Sequence, residues 1–370
     1  MRFPEFSGEW EKYRLCDVAS IVGRIGFRGY TTNDIVTKGK GAIALSPTNI
    51  ENNKLTYDKD NTYISFYKYE ESPEIMIKQG DVIFVKTGST VGKVAYVDKL
   101  ICKTTLNPQV VVLKDIQCDN YLLSVLMSTN KFQNAIRKII VGGAVPTLSQ
   151  AAMGDIVVTM PQATEQEKLS KFISLLDDRI ATQNKIIEKL QSLIKGLAAQ
   201  LTQSGTPNVR LCDCLECHSS TLQENCVSAT GSYPVYGATG LIGYTNGYAY
   251  NGESILIVKD GSGVGSLSYA NDCYSVIGTL NYLTAKGKYS VLYLYYALMA
   301  FNFTPYITGM AIPHIYFKDY GKAKVFCPSI ENQIRIASLL HNIEQKLVVE
   351  QNLIISLSAQ KSYLLRMLFI

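Results

Sequence analysis

VIFVKTGSTVGKVAY, residues 82–96, returns as ILIVKDGSGVGSLSY, residues 255–269. Seven of the fifteen positions are identical, and most of the others are conservative. The match belongs to a series that keeps its order along the chain. Arg14-Leu15-Cys16-Asp17 recurs as Arg210-Leu211-Cys212-Asp213, Thr105-Leu106-Asn107 as Thr279-Leu280-Asn281, and GGAVPTL (142–148) as GMAIPHI (309–315). From Gly142 onward the interval is a constant 167 residues without a gap, pairing Pro146 with Pro313, Pro161 with Pro328 and Leu201 with Leu368. Upstream it drifts through 196, 173 and 174. Internal similarity at a long period reads as one unit doubled, here with heads of variable length and tails of fixed length.

The tails read as helices. Thr164-Glu165-Gln166-Glu167 has the form of a capping box, with Pro161 just before it. Apolar residues follow at three- and four-residue spacing: Ile173, Leu176, Ile180, Ile187, Leu190, Ile194, Leu197 and Leu201, interrupted by Gln183. The second copy gives Leu340, Ile343, Leu347, Ile354, Leu357, Leu364 and Leu368, interrupted by Glu350 and Lys361. About four heptads argue for a coiled coil rather than a surface helix. Each helix is expected to run about 38 residues, about 57 Å. The link TQSGTPNV between Leu201 and Arg210 is short. The second head must therefore start where the first helix ends, which favours antiparallel pairing with the heads at opposite ends of a rod. Gln183 and Glu350 in the seam are expected to help fix register.

The heads read as mixed α/β. VIFV (82–85) and ILIV (255–258) look like buried strands, each running through a Gly/Ser turn into a second strand. Residues 121–140 and 289–300 have helical spacing. The second head holds 15 of the 24 tyrosines and few charges. The expected class is α+β: two mixed α/β globular domains in pseudo-two-fold tandem repeat, separated by two long helices that form an antiparallel coiled coil. The expected domains are residues 1–160, 161–205, 206–327 and 328–370.

Composition narrows the function. The 370 residues are 47% hydrophobic and 18% charged, which excludes a disordered or low-complexity chain. A net charge of +5 permits a nucleic-acid partner without demanding one. MRFPEFSGEW lacks the apolar core of a signal peptide, and the longest apolar run, residues 291–303, is too short to span a bilayer. Nine irregularly placed cysteines in a large chain fit a reduced, cytoplasmic protein.

RFPEFSGEWEKYRLCDV at the start, GDVIFVKTGSTVGKVAY in the first head, YPVYGATGLIGY (233–244) in the second, and the blocks PQATEQEKL and PSIENQIRI together resemble the specificity (S) subunit of Type I DNA restriction–modification systems. The resemblance spans essentially the whole chain and includes its duplication. It implies two target recognition domains, each reading one half of a split sequence in double-stranded DNA, with the helices spacing them. It also implies two docked methyltransferase (modification) subunits, restriction (endonuclease/translocase) subunits as further partners, and no catalysis by this chain alone. Unlike readers on a rigid spacer would leave the bases between the half-sites unread. A pseudo-symmetric scaffold that binds protein rather than DNA is the alternative.

DNA binding needs cations for phosphates and side chains for base edges. In the first head Arg24, Arg28, Lys38, Lys40, Lys86 and Lys93 cluster in expected loops, and residues 23–41 are Gly-rich and basic. The turns holding Lys86 with Ser89, and Lys259 with Ser262, occur in both heads, and backbone amides of such turns bind phosphate. An exposed loop and a plain structural turn are the blander readings. The second head offers Lys259, Lys286 and Lys288, with Tyr233, Tyr236, Tyr244 and Tyr248 in a Gly-rich stretch where a core role is the commoner one.

Other chemistries fit poorly. GSTVGK (88–93) is one residue short of a phosphate loop, and Val94 stands where Ser or Thr is required. Asn107-Pro108-Gln109-Val110 lacks the second proline and the aromatic of an amino-methyltransferase motif. Cys212-Asp213-Cys214-Leu215-Glu216-Cys217-His218 matches no common zinc spacing. His314 and His341 stand without a nucleophile at a motif spacing. No cofactor, metal or catalytic residue is expected.

Overall fold

The computed structural model describes residues 2–57, 60–143 and 145–369, apart from the side chain of Phe27; Met1, Asp58, Lys59, Ala144 (within the GGAVPTL repeat) and Ile370 lie outside the described residues. The chain forms two compact units, Met1–Ala181 with Ile355–Ile370, and Thr182–Ile354.

The head of the first unit is built on a sheet in the order Ser20–Gly23, Val110–Lys114, Val82–Val85, Val94–Tyr96, Lys54–Leu55, Ile50–Glu51. Val82–Val85 is buried throughout and pairs antiparallel with both neighbours, Val111 opposite Phe84 and Ile83 opposite Ala95. A run without alternation is the mark of a strand covered on both faces. A second sheet runs Thr104–Leu106, Gly41–Leu45, Tyr63–Ser65, Ile35–Val36, its first pair parallel.

The head of the second unit repeats the first four strands of that order as Leu215–Ser219, Leu280–Ala285, Ser254–Val258, Leu267–Ala270, antiparallel throughout as those four are. Its other sheet runs Gly240–Thr245, Tyr233–Gly237, Cys273–Val276, Tyr250–Asn251, and also contains one parallel pair. The Arg-Leu-Cys-Asp repeat does the same task twice. Leu15 and Leu211 are fully buried, their amides donating to Ile156 O and Ala323 O, both at 2.9 Å. In the first copy Arg14 grips Asp17 through Nη2 and Nε at 3.0 and 3.1 Å, which holds the Asp17 carboxyl below the usual range.

The expected helix over 121–140 is two helices, Asn120–Ser128 and Asn130–Ile139. They part at Thr129, whose extended backbone (φ −68°, ψ 153°) ends one and starts the other. The Ser128 and Thr129 hydroxyls donate to Val125 O and Leu126 O, both at 2.6 Å, the local bonding with which Ser and Thr compete against helix continuation. In the second head, Val291–Met299 is one short helix.

The long helices are Ala163–Thr202 and Ile330–Leu368, of 40 and 39 residues. In the first unit Leu169 and Ile173 share a core cluster with Leu365, Leu368 and Phe369, and Asp177 takes an ion pair from Lys361. In the second, Ile194 and Ala198 cluster with Leu340 and Ala337, and Gln183 bonds Glu350. Within each unit the numbering of one helix rises as that of the other falls, so the segments pair antiparallel. All thirteen expected seam positions (Ile173, Leu176, Ile180, Ile187, Leu190, Ile194, Leu197, Leu340, Ile343, Leu347, Ile354, Leu357 and Leu364) are buried or half-buried. The three polar interruptions, Gln183, Glu350 and Lys361, all have partners.

The capping box at Thr164 does not form where expected. The helix starts earlier, with Gln162 O accepting from Glu165 N and Gln166 N, both at 3.0 Å. Glu165 is fully buried and holds Arg2 through two bonds of 2.7 and 2.5 Å. The next residue locks the helix to its head. Gln166 Nε2 donates to Pro161 O and its Oε1 accepts from Asp119 N, both at 2.8 Å, where Asp119 caps Asn120–Ser128. One interval on, Gln333 Nε2 donates to Pro328 O at 2.8 Å and its Oε1 accepts from Ser290 N at 3.1 Å, where Ser290 caps Val291–Met299. Each clamp gives an acceptor to the N–H of the residue that caps a head helix, a group with no partner inside the helix itself. Among the described residues no helix is long and apolar enough to cross a membrane.

Candidate nucleic-acid interface

The Gly/Ser turns are the same structure twice. In the first head Gly88 takes φ +104° and its amide donates to Pro146 O at 2.9 Å, while Val91 N closes on Gly88 O and Gly92 N on Val85 O. In the second, Gly261 takes φ +96° and donates to Pro313 O at 2.9 Å, while Val264 N closes on Gly261 O and Gly265 N on Val258 O. Only glycine adopts those positive φ values at little cost. The amides of Ser89 and Thr90, and of Ser262 and Gly263, donate to nothing among the described residues. Ser89 and Ser262 are exposed. Each turn therefore offers a pair of adjacent open N–H groups, the arrangement suited to an anion.

Lys86 and Lys259 open the turns and are half-buried. The backbone of each is held on both sides: Lys86 N donates to Gln109 O and its O accepts from Leu148 N, while Lys259 N donates to Thr279 O and its O accepts from Ile315 N. Lys93 is exposed, with its Nζ 3.2 Å from Ile50 O. Its counterpart, Ser266, has no cation to offer.

The basic loop of the first head divides into anchors and free cations. Arg24 is buried. Its Nε donates to Leu106 O at 2.9 Å, Nη2 to Thr105 Oγ1 at 3.1 Å and Nη1 to Arg28 O at 3.2 Å, and its guanidinium lies 5.5 Å from the Tyr30 ring centre. Burial lowers its pKa from the usual arginine value. Arg28 sits 3.5 Å from Glu74. Lys38 and Lys40 are exposed in the turn between Ile35–Val36 and Gly41–Leu45. Nothing in the local sequence of Arg24 signals that its acceptors come from residues 105–106, on a strand about eighty positions away.

Sequence reasoning missed Tyr30, and it took Asn107 only as a repeat residue and an incomplete methyltransferase motif. Asn107 Nδ2 donates to Tyr30 Oη at 3.1 Å and its Oδ1 accepts from Gln109 N at 2.9 Å, so this side chain shapes its own turn. Asn281, its repeat partner, accepts instead from Ser219 Oγ at 3.0 Å.

In the second head the tyrosines form a chain of ring contacts. Tyr236 leans on buried Tyr274 at 6.0 Å, Tyr250 lies against Tyr282 at 5.3 Å, and His218 stacks on Tyr282 at 4.8 Å. Burial raises the Tyr236 hydroxyl pKa. Tyr233, half-buried, packs edge-on against exposed Tyr248 at 4.9 Å, and this pair faces outward. Tyr236 is thus a packing residue, and Tyr233 with Tyr248 is the aromatic surface.

Cys214 and Cys327 are buried against one another, and burial pushes the Cys217 thiol up to about 11. Among the described residues no three His, Cys, Asp or Glu side chains converge as a metal-ligand set.

A repeated two-sheet head, a clamped long helix and a duplicated anion-suited turn define a tandem two-domain protein. A family model described as Type I restriction modification DNA specificity domain matches residues 7–192 and again 208–359, and the chain belongs to that family. Among curated relatives, the EcoprrI specificity subunit of Escherichia coli is 27% identical over 112 residues, 30% of this chain and 28% of that protein. The MjaVIII specificity subunit of Methanocaldococcus jannaschii is 24% identical over 209 residues, 55% of this chain and 44% of that protein. The alignments thus span under half the length of these relatives. In fold, the S subunit of a Type I restriction–modification system from M. genitalium matches with a TM-score of 0.68 at 16% identity, covering 100% of this chain and 99% of that one.

Proposed function

We propose that this chain is the non-catalytic DNA-reading subunit of a Type I restriction–modification complex in the cytoplasm, each head contacting one half of a bipartite duplex target. The observation that carries the reading is the pairing of what is shared with what differs. Both heads keep the same turn with open amides and an adjacent lysine, while their other exposed groups diverge. Exposed Lys38 and Lys40 belong to the first head, and the Tyr233–Tyr248 pair to the second. Common elements suit the phosphate backbone, which is the same everywhere, and divergent ones suit base edges. We assign phosphate contacts to Lys38, Lys40, Lys86, Ser89, Lys93, Lys259 and Ser262, and a surface role to Tyr233. Arg24, Arg28 and Tyr236 act behind the surface by holding its loops.

Two modification subunits, and with them restriction subunits, are the partners that fit the duplicated helices. Exposed Ile334, Val348 and Ile355 recur at heptad intervals on Ile330–Leu368, and Ile186 and Leu193 stand seven apart on Ala163–Thr202. An outer apolar stripe beside an inner seam is what a helix presents to further helices.

Selection from a random duplex pool, with the modification subunits present, tests the reading. Enrichment of a two-part motif supports it. Normal assembly without any enrichment favours the protein scaffold. Methyl transfer by the purified chain alone contradicts the non-catalytic assignment.

A further inference from the structure

Each head carries a second repeated device beside the Gly/Ser turn. Val141 bridges antiparallel to Thr147 in the first head, and Thr308 to His314 in the second, the same pairing twice. Val141 and Thr147 exchange backbone bonds of 3.0 and 2.9 Å, and Thr308 and His314 exchange bonds of 2.9 and 2.8 Å. Gly142 and Gly309 turn the chain at φ +102° and +91°, and a Cβ there would meet Val145 O at 2.8 Å and Ile312 O at 2.3 Å. Any other residue would strain the tip, so its shape is fixed by the fold.

The hairpins are not free-standing. Pro146 O and Pro313 O accept the amides of Gly88 and Gly261, and Leu148 N and Ile315 N donate to Lys86 O and Lys259 O. Thr87 and Asp260 also bridge to Thr147 and His314. Hairpin and turn are thus joined by backbone hydrogen bonds, and the residue that opens the turn in each head, Lys86 or Lys259, takes part in that joint.

What the tips expose is apolar in both copies. Val141 and Val145 are 74% and 59% exposed, Ile312 is 66% exposed and Met310 fully so. Val145 and Ile312 occupy equivalent positions although much of the surrounding surface has diverged. These side chains fill no core.

We propose that the two tips are apolar wedges pressed against base steps of the duplex, one per half-site, while the adjoining turn holds the flanking phosphate. Continuity with the candidate phosphate contacts favours DNA over a protein partner at this place. Apolar side chains inserted at a base step unstack it locally, and a neighbouring cationic group keeps the backbone in place. The proposal rests on the DNA-reading function above and adds a contact that is neither ionic nor a base-edge hydrogen bond.

The test uses the full complex with its modification subunits and duplexes of the selected motif carrying 2-aminopurine at successive steps in and beside each half-site. The wild type should brighten at one step per half-site. Val145→Ser should abolish the signal in one half, and the double variant Met310→Ser, Ile312→Ser that in the other. Each should weaken binding by about tenfold, with an unchanged salt slope, since an apolar contact releases no counterions. Binding without brightening in the wild type, or wild-type affinity in both variants, overturns the wedge. So does loss of subunit assembly in the variants, which would make the tips a protein interface. If the wild-type complex binds no DNA, the underlying function fails along with the wedge, and that outcome is distinct because no variant is needed to see it.

Discussion

Gln183 hydrogen-bonds Glu350, the residue one repeat interval away from it, through both the Glu350 carboxylate and its backbone O at 3.3 Å. The two long helices therefore meet here at equivalent positions of the repeat. Gln183 is buried there, so its amide has few other partners. Replacing Gln183 by Ala should cost about 1–2 kcal/mol, because a carboxylate in the seam loses its donor. A double-mutant cycle with Glu350→Ala should show a coupling of about 1 kcal/mol in chemical denaturation. Strict additivity would show that the two residues are independent.

The paired clamps make a second prediction. Gln166→Ala and Gln333→Ala each leave a helix-start amide, that of Asp119 or Ser290, without its acceptor. Each change should destabilise its own unit by about 1–3 kcal/mol. Hydrogen exchange should quicken at the start of Asn120–Ser128 in one variant and of Val291–Met299 in the other. Unchanged protection in both would show that the heads need no such lock.

Arginine and lysine of one loop should separate in their effects. Lys38→Ala with Lys40→Ala should leave the fold intact and lower the salt slope of DNA binding by about 1 for each phosphate no longer neutralised. Arg24→Ala removes a buried guanidinium that satisfies Leu106 O and Thr105. It should lower the melting temperature, with the slope unchanged in the fraction that remains folded. A lower slope in the Arg24 variant would put that side chain on the DNA.

Thiol reactivity should sort by burial. Burial pushes Cys118 up to about 12 and Cys217 up to about 11, whereas Cys16, Cys102 and Cys226 are exposed. At pH 8 a thiol of pKa 11 is thiolate in only about one molecule per thousand, and the thiolate is the nucleophile. Mass mapping after brief alkylation should therefore find Cys16, Cys102 and Cys226 modified first. Early labelling of Cys217 would contradict its buried setting.

The parts of the fold legible in the sequence were those written in periodicity. The 167-residue interval and the heptads of Ile173 through Leu364 announced two similar heads and two paired helices. Parts set by distant partners were not legible. Thr164 and Glu167 looked like a capping pair because a local rule fitted them, but the first helical bonds run to Gln162 O, and Glu165 between them gives its carboxylate to Arg2, 163 positions earlier. Arg24 looked like a phosphate ligand because a Gly-rich loop surrounds it, but strand residues 105–106 take its donors. The break at Thr129 lay inside a spacing that stayed helical on either side, and only the hydroxyl bonds of Ser128 and Thr129 reveal it.

The most direct measurement compares the duplex motifs enriched by the assembled complex before and after one heptad is added to each long helix, following Ile187 and Ile354. The two half-sites should stay the same while the run of unread bases between them lengthens. A gap that does not change, or a single undivided motif, would contradict a pair of readers joined through these helices.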